Sequence, residues 1–286
     1  MNSQYFAQYL LNTGMLSGDE VKGMLMKSMS CKPQLPLLAM YQGLVTARQL
    51  MELGVETAAF AAAAQEKGLL TKSQVQNLSQ AVTGESLRFA QALLDAGRMD
   101  YARLAELFAD YREAPVRPVK EAVARLADGS LDKELEYYNA YVEIFMRSLI
   151  RFMDTPAVIN VFESLLDSDE QTRIVSQRLS GDLSMVTGLF AADDTFVEMA
   201  RRYSREDIQE VDELAVDSIT EFLNVMNGLY AIDLAKRQMD VDLELPRAAK
   251  NQKPVGSHQL ELRIDTGFGS FVLVLATDEF VLHDLT

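Results

Sequence analysis

The chain has 286 residues, of which 48% are hydrophobic and 24% are charged. This composition is typical of a folded globular protein and excludes wholesale disorder, and the length allows one large domain or two of ordinary size. The formal net charge is -15 and is unevenly spread: residues 1–113 carry 10 basic and 11 acidic side chains, whereas residues 114–286 carry 17 and 31. The acidic second part argues against nucleic acid and anionic membranes as its partners.

Cysteine content and hydropathy indicate a cellular compartment. Cys31 is the only cysteine, so an internal disulfide is excluded and a reducing cytoplasm is favoured. The opening MNSQYFAQYLLN has neither the basic region nor the apolar core of a signal peptide, and no apolar run approaches the roughly 18 residues that span a membrane. We therefore expect a cytoplasmic protein without a membrane span.

Residues 1–113 contain four related segments: FAQYLLNTGMLSGDEVKGML, LPLLAMYQGLVTARQLMEL, FAAAAQEKGLLTKSQVQNLSQA and RFAQALLDAGRMDYARLAELF. Each has a glycine that suits the left-handed end of one helix, then two residues, then a residue that suits the N-cap of the next. These glycine and capping pairs are Gly14 with Ser17, Gly43 with Thr46, Gly68 with Thr71 and Gly97 with Asp100. The pattern predicts an all-α helical-repeat domain of about eight short helices.

The fourth segment, RFAQALLDAG, resembles the helical-repeat N-terminal domain of type II secretion and pilus ATPases. Some members of that family bind cyclic di-GMP through such repeats; for this chain the alternative is a protein-docking or spacer module. Arg88 matches the arginine of the family motif, but Ala90 stands where the family has its first glycine. This departure favours a docking or spacer module over a nucleotide site.

A break separates the two halves of the chain. Pro115 and Pro118 interrupt the helical pattern, because proline cannot continue a helix and restricts the residue before it. The pattern is helical again between Val119 and Ala127. Residues 114–132 are predicted to be a linker, and residues 133–286 a second domain.

The second domain opens with a long amphipathic helix over residues 133–153. TPAVINVFESLL and TRIVSQRLSGDLSMVTGLF predict strands, with a turn at residues 181–182. DDTFVEMARRYS predicts a short helix with Asp193 or Asp194 as its cap.

A long helix is then predicted from Arg205 to Lys236, followed by strands that alternate polar and apolar residues. The last strands are joined by a hairpin between Thr266 and Ser270. This order of elements indicates an α+β fold, with long helices packed on a largely antiparallel sheet.

Three polar residues of the long helix are candidate site residues: Asp217, Glu221 and Asn224. At about 100° per residue they fall, with Gly228, in a sector roughly 60° wide. An apolar stripe centred roughly 110° away is predicted to face the sheet. It consists of Val211, Leu214, Ala215, Ile219, Phe222, Val225, Met226 and Leu229. On chemistry alone the polar row is a solvated helix face, because no neighbouring histidine, cysteine or serine completes a nucleophilic arrangement.

Residues 133–286 resemble the CheC/CheX/FliY class of chemotaxis phosphatases, and in particular the single-site CheX kind. Four landmarks occur in the same order: YYNAYVEIF, RLSGDLSMVTGLFAADDTFVEMARRYS, DSITEFLNVMNGLYA, and DVDLELP ahead of a terminal hairpin with TGFGSFVLVL. The signature of the class is Asp or Ser, three residues, Glu, two residues, Asn, and a later proline. Asp217, Glu221 and Asn224 fit it, and Pro246 comes one residue earlier than in the usual pattern.

The resemblance implies that the substrate is a CheY-like response regulator phosphorylated on an aspartate. The regulator would bring its own Mg²⁺, so that no cofactor or metal is expected on this chain. Asn224 would orient a water in line with the phosphorus, Glu221 would form an ion pair with a lysine of the regulator, and Asp217 would support the helix. A homodimer through the C-terminal domain is also implied.

A second Glu-x-x-Asn lies in the opening helix, at Glu136 and Asn139, with Asp132 four residues before Glu136. Two-site members of the class have another site here. Single-site members use an Asn at this place only to open the helix, and the bulky Tyr137 and Tyr138 stand within the motif. Glu136 and Asn139 are therefore the weaker candidate pair.

Two functions remain open at the level of the sequence. One is a response-regulator phosphatase with an N-terminal helical targeting module. The other is a non-catalytic signalling adaptor, in which the CheX-like domain dimerises and the repeats bind a partner or a nucleotide. Joint exposure of Glu221 and Asn224 beside a groove would favour the phosphatase.

Overall fold

The structure is a computed structural model that describes residues 5–54, 57–81, 83–127, 129–162, 172–277 and 280–284. The chain divides into two units, Met1–Arg117 and Pro118–Thr286. The first unit is helical in its described part, and the second combines helices with two antiparallel sheets.

Eight helices make up the described part of the first unit. They are α1 (Phe6–Asn12), α2 (Gly18–Ser28), α3 (Leu35–Tyr41), α4 (Ala47–Leu53), α5 (Thr57–Glu66), α6 (Lys72–Gln80), α7 (Glu85–Asp95) and α8 (Tyr101–Glu113). Ser17, Thr46 and Thr71, which were predicted as N-caps, each form a full capping box with the residue three positions on. Asp100 caps α8 by accepting from the backbone N–H of Arg103 at 2.8 Å. The boundaries of these helices are thus fixed by local hydrogen bonds.

Aromatic packing ties the ends of the first unit together. The Phe6 ring of α1 lies 4.6 Å from the Phe108 ring of α8, centroid to centroid, and Tyr41 of α3 meets Phe108 edge-on at 5.0 Å. These rings bring together residues about a hundred positions apart in the chain. Local caps therefore define the helices, and a shared aromatic core assembles them.

The second unit contains four helices and nine strands in its described residues. The helices are α9 (Pro118–Ala127), α10 (Leu135–Met153), α11 (Asp193–Ser204) and α12 (Glu213–Lys236). The strands are β1 (Ala157–Asn160), β2 (Thr172–Gly181), β3 (Met185–Ala192), β4 (Val241–Leu243), β5 (Arg247–Lys250), β6 (Gln252–Gly256), β7 (Gln259–Thr266), β8 (Ser270–Ala276) and β9 (Phe280–Asp284).

The main sheet has the order β1-β7-β8-β3-β2-β4, with β5 also paired to β2, and every pairing is antiparallel. Strands β6 and β9 form a separate antiparallel pair. The predicted antiparallel sheet and the hairpin between β7 and β8 are confirmed, and Thr266 N donates to Gly269 O across that turn at 2.9 Å. β5 and β6 were not predicted, because RAAKNQKPVG has no regular apolar alternation.

The turn between β2 and β3 lies against the chain that follows α12. Gly181 has φ +129°, and a Cβ there would collide with the backbone oxygen of Asp240. Asp240 N in turn donates to the Asp182 carboxylate at 2.8 Å. Only glycine permits this close approach, which places the start of β4 beside the end of β2.

One predicted helix cap and one predicted helix start are wrong, although α11 begins at Asp193 as predicted. The N-cap of α11 is Ala192, without a side-chain bond, and Asp193 instead forms an ion pair with Arg173 at 2.8 Å. The predicted helix from Arg205 begins at Glu213, because Arg205 is left-handed and ends α11, and Asp212 caps α12 by accepting from Ala215 N at 2.8 Å. At α11, the ion pair with Arg173 occupies Asp193, which therefore does not cap the helix. At α12, the left-handed Arg205 ends the preceding helix, and Asp212 is the acidic residue that caps the next one.

Two further segments bear on the predicted boundaries. Residues 114–132, predicted as a linker, include α9, which packs on α10, β1 and β7 and so belongs to the second unit. The predicted strand TPAVINVFESLL is observed as β1 over Ala157–Asn160, and its last residues, 163–166, lie outside the described residues.

Candidate functional site

Helix α12 carries the strongest candidate residues and packs against three neighbours: α10, α11 and the sheet at β2 and β4. Its buried side consists of Ala215, Ser218, Ile219, Phe222, Leu223, Met226, Asn227, Tyr230 and Leu234. The predicted stripe is partly wrong, since Leu214 is 47% exposed and Val211 precedes the helix. Because α12 contacts several elements, the centre of its buried side lies closer to Leu223 and Asn227 than predicted. The row of Asp217, Glu221 and Asn224 is therefore roughly 160° from that centre, nearly on the opposite side of the helix.

Asp217 and Glu221 are exposed, and Asn224 is half-buried. Within the described part of the chain, Glu221 has no ion-pair partner. It lies close to Tyr203 of α11, whose pKa is raised above its ordinary value by burial and, to a smaller extent, by the negative charge of Glu221. Glu221 is therefore an unneutralised carboxylate presented at the surface.

A hydrogen bond from strand β2 holds the side chain of Asn224. Its Oδ1 accepts a hydrogen bond of 2.9 Å from Nε2 of Gln177, and the same Nε2 donates to the backbone oxygen of Glu244 at 2.8 Å. Glu244 follows β4 and stands two residues before Pro246. The structure thus brings Asn224 beside the segment that contains the signature proline, although the two are far apart along the chain.

Gln177 continues into a buried polar network that was not predicted. Nδ2 of Asn227 donates to Oε1 of Gln177 at 2.8 Å, and the hydroxyl of Tyr141 donates to Oδ1 of Asn227 at 2.8 Å. Thr187 Oγ1 lies 2.9 Å from Asn227 Nδ2. These side chains are at most 2% exposed, and burial raises the pKa of Tyr141, which keeps its hydroxyl protonated as a donor. No sequence signal pointed to Asn227, because its position lies outside the predicted apolar stripe.

A recess of about 410 Å³ is lined in part by Gln177, the hydrogen-bond partner of Asn224, and by Glu244, whose backbone oxygen accepts from Gln177. Arg178 and Arg247 also line it, as does Leu245, which is 87% exposed.

The second candidate pair is arranged differently. The Glu136 carboxylate accepts a hydrogen bond of 3.0 Å from Nη1 of Arg237, near the end of α12. Asn139 Oδ1 is buried and has no hydrogen-bond partner among the described residues. The two motifs therefore share their spacing but not their surroundings.

In the first unit, Arg88 is half-buried on α7 and interacts electrostatically with Glu85. The Glu85 carboxyl is buried, and this burial raises its pKa to about 8, against an opposing effect of Arg88.

In the residues that the structure describes, no group of three or more histidine, cysteine, aspartate or glutamate side chains could hold a metal ion. None of the described helices combines the length and the apolar character that crossing a membrane requires.

The sequence matches neither a protein-family model nor a curated protein. Several solved structures resemble about half of the chain. Chemotaxis protein CheX from Desulfovibrio desulfuricans is 12% identical, with 50% of this chain and 99% of that chain covered and a TM-score of 0.42. CheX from Borrelia burgdorferi, solved with CheY, BeF3 and Mg²⁺, is 14% identical, with 52% and 98% covered and a TM-score of 0.37.

FliY from Thermotoga maritima is 15% identical, with 58% of this chain and 93% of that chain covered and a TM-score of 0.36. These structures are named for the same class that residues 133–286 resemble in sequence. At such identities and TM-scores they do not indicate what individual residues do, so a function has to be based on the side chains of α12 and their neighbours.

Proposed function

We propose that the second unit is a phosphatase domain that removes the aspartyl phosphate from a CheY-like response regulator. The observation that carries this proposal is the pairing of Glu221 and Asn224 on the solvent side of α12. Glu221 has no ion-pair partner among the described residues, and Asn224 Nδ2 donates no hydrogen bond to any of them. A carboxylate and an amide are thus offered together to a partner protein.

The reaction is hydrolysis of an acyl phosphate. A water attacks the phosphorus, the bond between phosphorus and the aspartate oxygen breaks, and inorganic phosphate leaves while the aspartate carboxylate is regenerated. The regulator would bring the Mg²⁺ that neutralises the phosphoryl oxygens, and this chain would contribute Asn224. An amide suits the placement of a water, because it donates and accepts hydrogen bonds without titrating. Fixing that water lowers the barrier mainly through orientation and entropy.

Glu221 would form an ion pair with a lysine of the regulator and so set the register of the two proteins. The excess of acidic residues in 114–286 would speed the approach of a basic patch, an effect on association rate more than on affinity. Asp217 is exposed one turn before Glu221 and would support this end of the helix. The exposed Leu245 would contact the regulator beside Asn224.

The remaining parts of the proposal concern assembly. The helical repeats of residues 1–113 would act as a targeting module, the second unit would form a homodimer, and the protein would act in the cytoplasm. The partner proposed here is of the same kind as the CheY in the Borrelia CheX structure.

The decisive experiment adds the purified full chain to CheY-type receiver domains phosphorylated by a small-molecule phosphodonor, and follows the loss of the aspartyl phosphate. Asn224→Ala and Glu221→Ala are assayed beside the parent protein. Faster loss with the parent than with either variant supports the phosphatase. Equal rates for all three would reject it in favour of a signalling adaptor.

A further inference from the structure

We infer that Gln177 of β2 is a positioning residue for the proposed reaction, because it fixes which atom of the Asn224 amide faces the partner. The inference rests on the proposed function and adds to it a residue outside the Asp217, Glu221 and Asn224 motif. Gln177 is 2% exposed and would touch neither the regulator nor the phosphate. It acts through Asn224.

The orientation of the Gln177 amide follows from the backbone. Its terminal group contacts the Glu244 carbonyl oxygen at 2.8 Å, and a carbonyl oxygen can only accept, so the Gln177 atom on that side must be the nitrogen. The oxygen of Gln177 therefore points the other way, towards Asn227, whose Nδ2 donates to it at 2.8 Å. The orientation of Asn227 agrees with this, since its Oδ1 receives the Tyr141 hydroxyl at 2.8 Å.

The orientation of Asn224 follows in turn. Gln177 Nε2 carries two protons, and one of them reaches the Glu244 carbonyl. The other points at Asn224 at 2.9 Å, so Asn224 must offer its oxygen. Nδ2 of Asn224 is then directed away from the sheet and remains a donor towards solvent. Without Gln177, the two orientations of the Asn224 amide would be close in energy, as they are for an exposed asparagine.

A buried hydrogen-bond network holds the Asn224 amide in this orientation. The network extends from Tyr141 on α10 through Asn227 on α12 to Gln177 on β2, and each of these side chains is at most 2% exposed. Reversing the Gln177 amide would set its oxygen against the Glu244 carbonyl oxygen and its nitrogen against Nδ2 of Asn227, which is costly in a buried site. Asn224 is consequently presented as a donor whose Nδ2–H can hold the attacking water by its oxygen. The second lone pair of that water is left for the phosphorus.

The first test is the dephosphorylation of a CheY-type receiver by full-length Gln177→Met, which has a similar length and no polar terminus. We expect kcat to fall by about 10- to 100-fold while KM for the phosphorylated receiver stays within about twofold. Asn160→Ala is the matched control. Asn160 is 3% exposed and donates to Asp265 at 2.8 Å between β1 and β7, so the control loses a buried hydrogen bond elsewhere in the unit and should keep kcat.

A second variant tests the inference even if Gln177→Met does not fold. Asn224→Asp keeps an acceptor for Gln177 but replaces the outward donor by an acceptor, at a half-buried surface position. We expect its kcat to fall as far as that of Asn224→Ala, since neither can donate to the water. An active Asn224→Asp, or a Gln177→Met with parental kcat, would overturn the inference while leaving the phosphatase in place.

A readout independent of turnover separates the two proposals. The side-chain NH₂ resonances of Asn224, followed by ¹⁵N NMR in the unliganded full chain, should show a restricted amide in the parent and a more mobile one in Gln177→Met. Asn160→Ala should leave them unchanged. If the parent protein proves inactive on every receiver, the proposed function fails. Gln177 then loses its positioning role only if these resonances are also the same in the parent and Gln177→Met.

Discussion

The chain contains the same acidic-amide spacing twice, and the two copies have different surroundings. Asp217, Glu221 and Asn224 lie on α12, whereas Glu136 and Asn139 lie in the first turns of α10 and Asp132 precedes that helix. On α12 the carboxylate has no ion-pair partner among the described residues and the amide oxygen is held by Gln177. On α10 the carboxylate is bound by Arg237 and the amide oxygen is buried without a described partner.

The comparison teaches that a motif of this length specifies little by itself. Three residues at helical spacing fix only which side chains share a helix face. What those side chains can do depends on the elements packed beneath and beside them. β2 supplies an amide donor under Asn224, and the end of α12 supplies a guanidinium beside Glu136. If these neighbours decide the outcome, substitutions in the two motifs should differ in their effects on turnover, on recognition and on stability.

The largest difference is expected in turnover. Asn224→Ala should lower kcat for receiver dephosphorylation by about 100-fold, because the attacking water loses its placement. Asn139→Ala removes the same amide from the other motif and should leave kcat at the parental value. Single-turnover decay of the phosphorylated receiver measures both. A loss of activity in Asn139→Ala comparable to that in Asn224→Ala would mean that two sites operate.

Recognition should differ next. Glu221→Gln should raise KM for the phosphorylated receiver by about tenfold, with a weaker dependence on salt, because the proposed ion pair is lost. Glu136→Gln should leave KM unchanged, since Arg237 already binds that carboxylate. Titration of the receiver at two ionic strengths provides the measurement. Equal shifts in the two variants would contradict the assignment of Glu221 as the contact residue.

The same substitution should have opposite effects on stability in the two motifs. Asn139→Leu should raise the free energy of unfolding of the second unit by about 1 kcal/mol, because it removes a buried oxygen that has no described partner. Asn224→Leu should lower it by about 1 kcal/mol, because Gln177 loses an acceptor. Urea denaturation followed by circular dichroism resolves changes of this size. Destabilisation by Asn139→Leu would show that its oxygen does have a partner.

The smallest effect is expected from releasing Glu136. Arg237→Ala breaks a contact in which the side chains are 36% and 81% exposed, and the loss of stability should be about 0.5 kcal/mol or less. Phosphatase activity should not increase, because the Asn139 oxygen is buried without a described partner and no side chain like Gln177 orients that amide among the described residues. Increased turnover in Arg237→Ala would show that the ion pair, rather than the placement of the Asn139 amide, keeps the second motif inactive.

Local signals made much of the fold predictable. The capping boxes at Ser17, Thr46 and Thr71 were predictable because a cap and its partner lie three residues apart. Strand β7 was predictable from the period of its apolar residues, whereas β8 is a continuous run of apolar residues. The cap of α11 was not predictable, because Asp193 has a competing partner, Arg173, twenty residues away. The buried side of α12 was only partly predictable, since three neighbouring elements decide it jointly.

The sequence by itself determined the helical first half, the antiparallel α+β character of the second, and the row of Asp217, Glu221 and Asn224 on one helix face. These features depend on interactions within one turn, one cap or one strand. Only the tertiary structure decided which Glu-x-x-Asn has a held amide and an unpaired carboxylate. That decision depends on Gln177, 47 residues before Asn224, and on Arg237, 101 residues after Glu136. Hydrogen bonds over such separations form only once the sheet and helices have packed, so no local pattern in the chain encodes them.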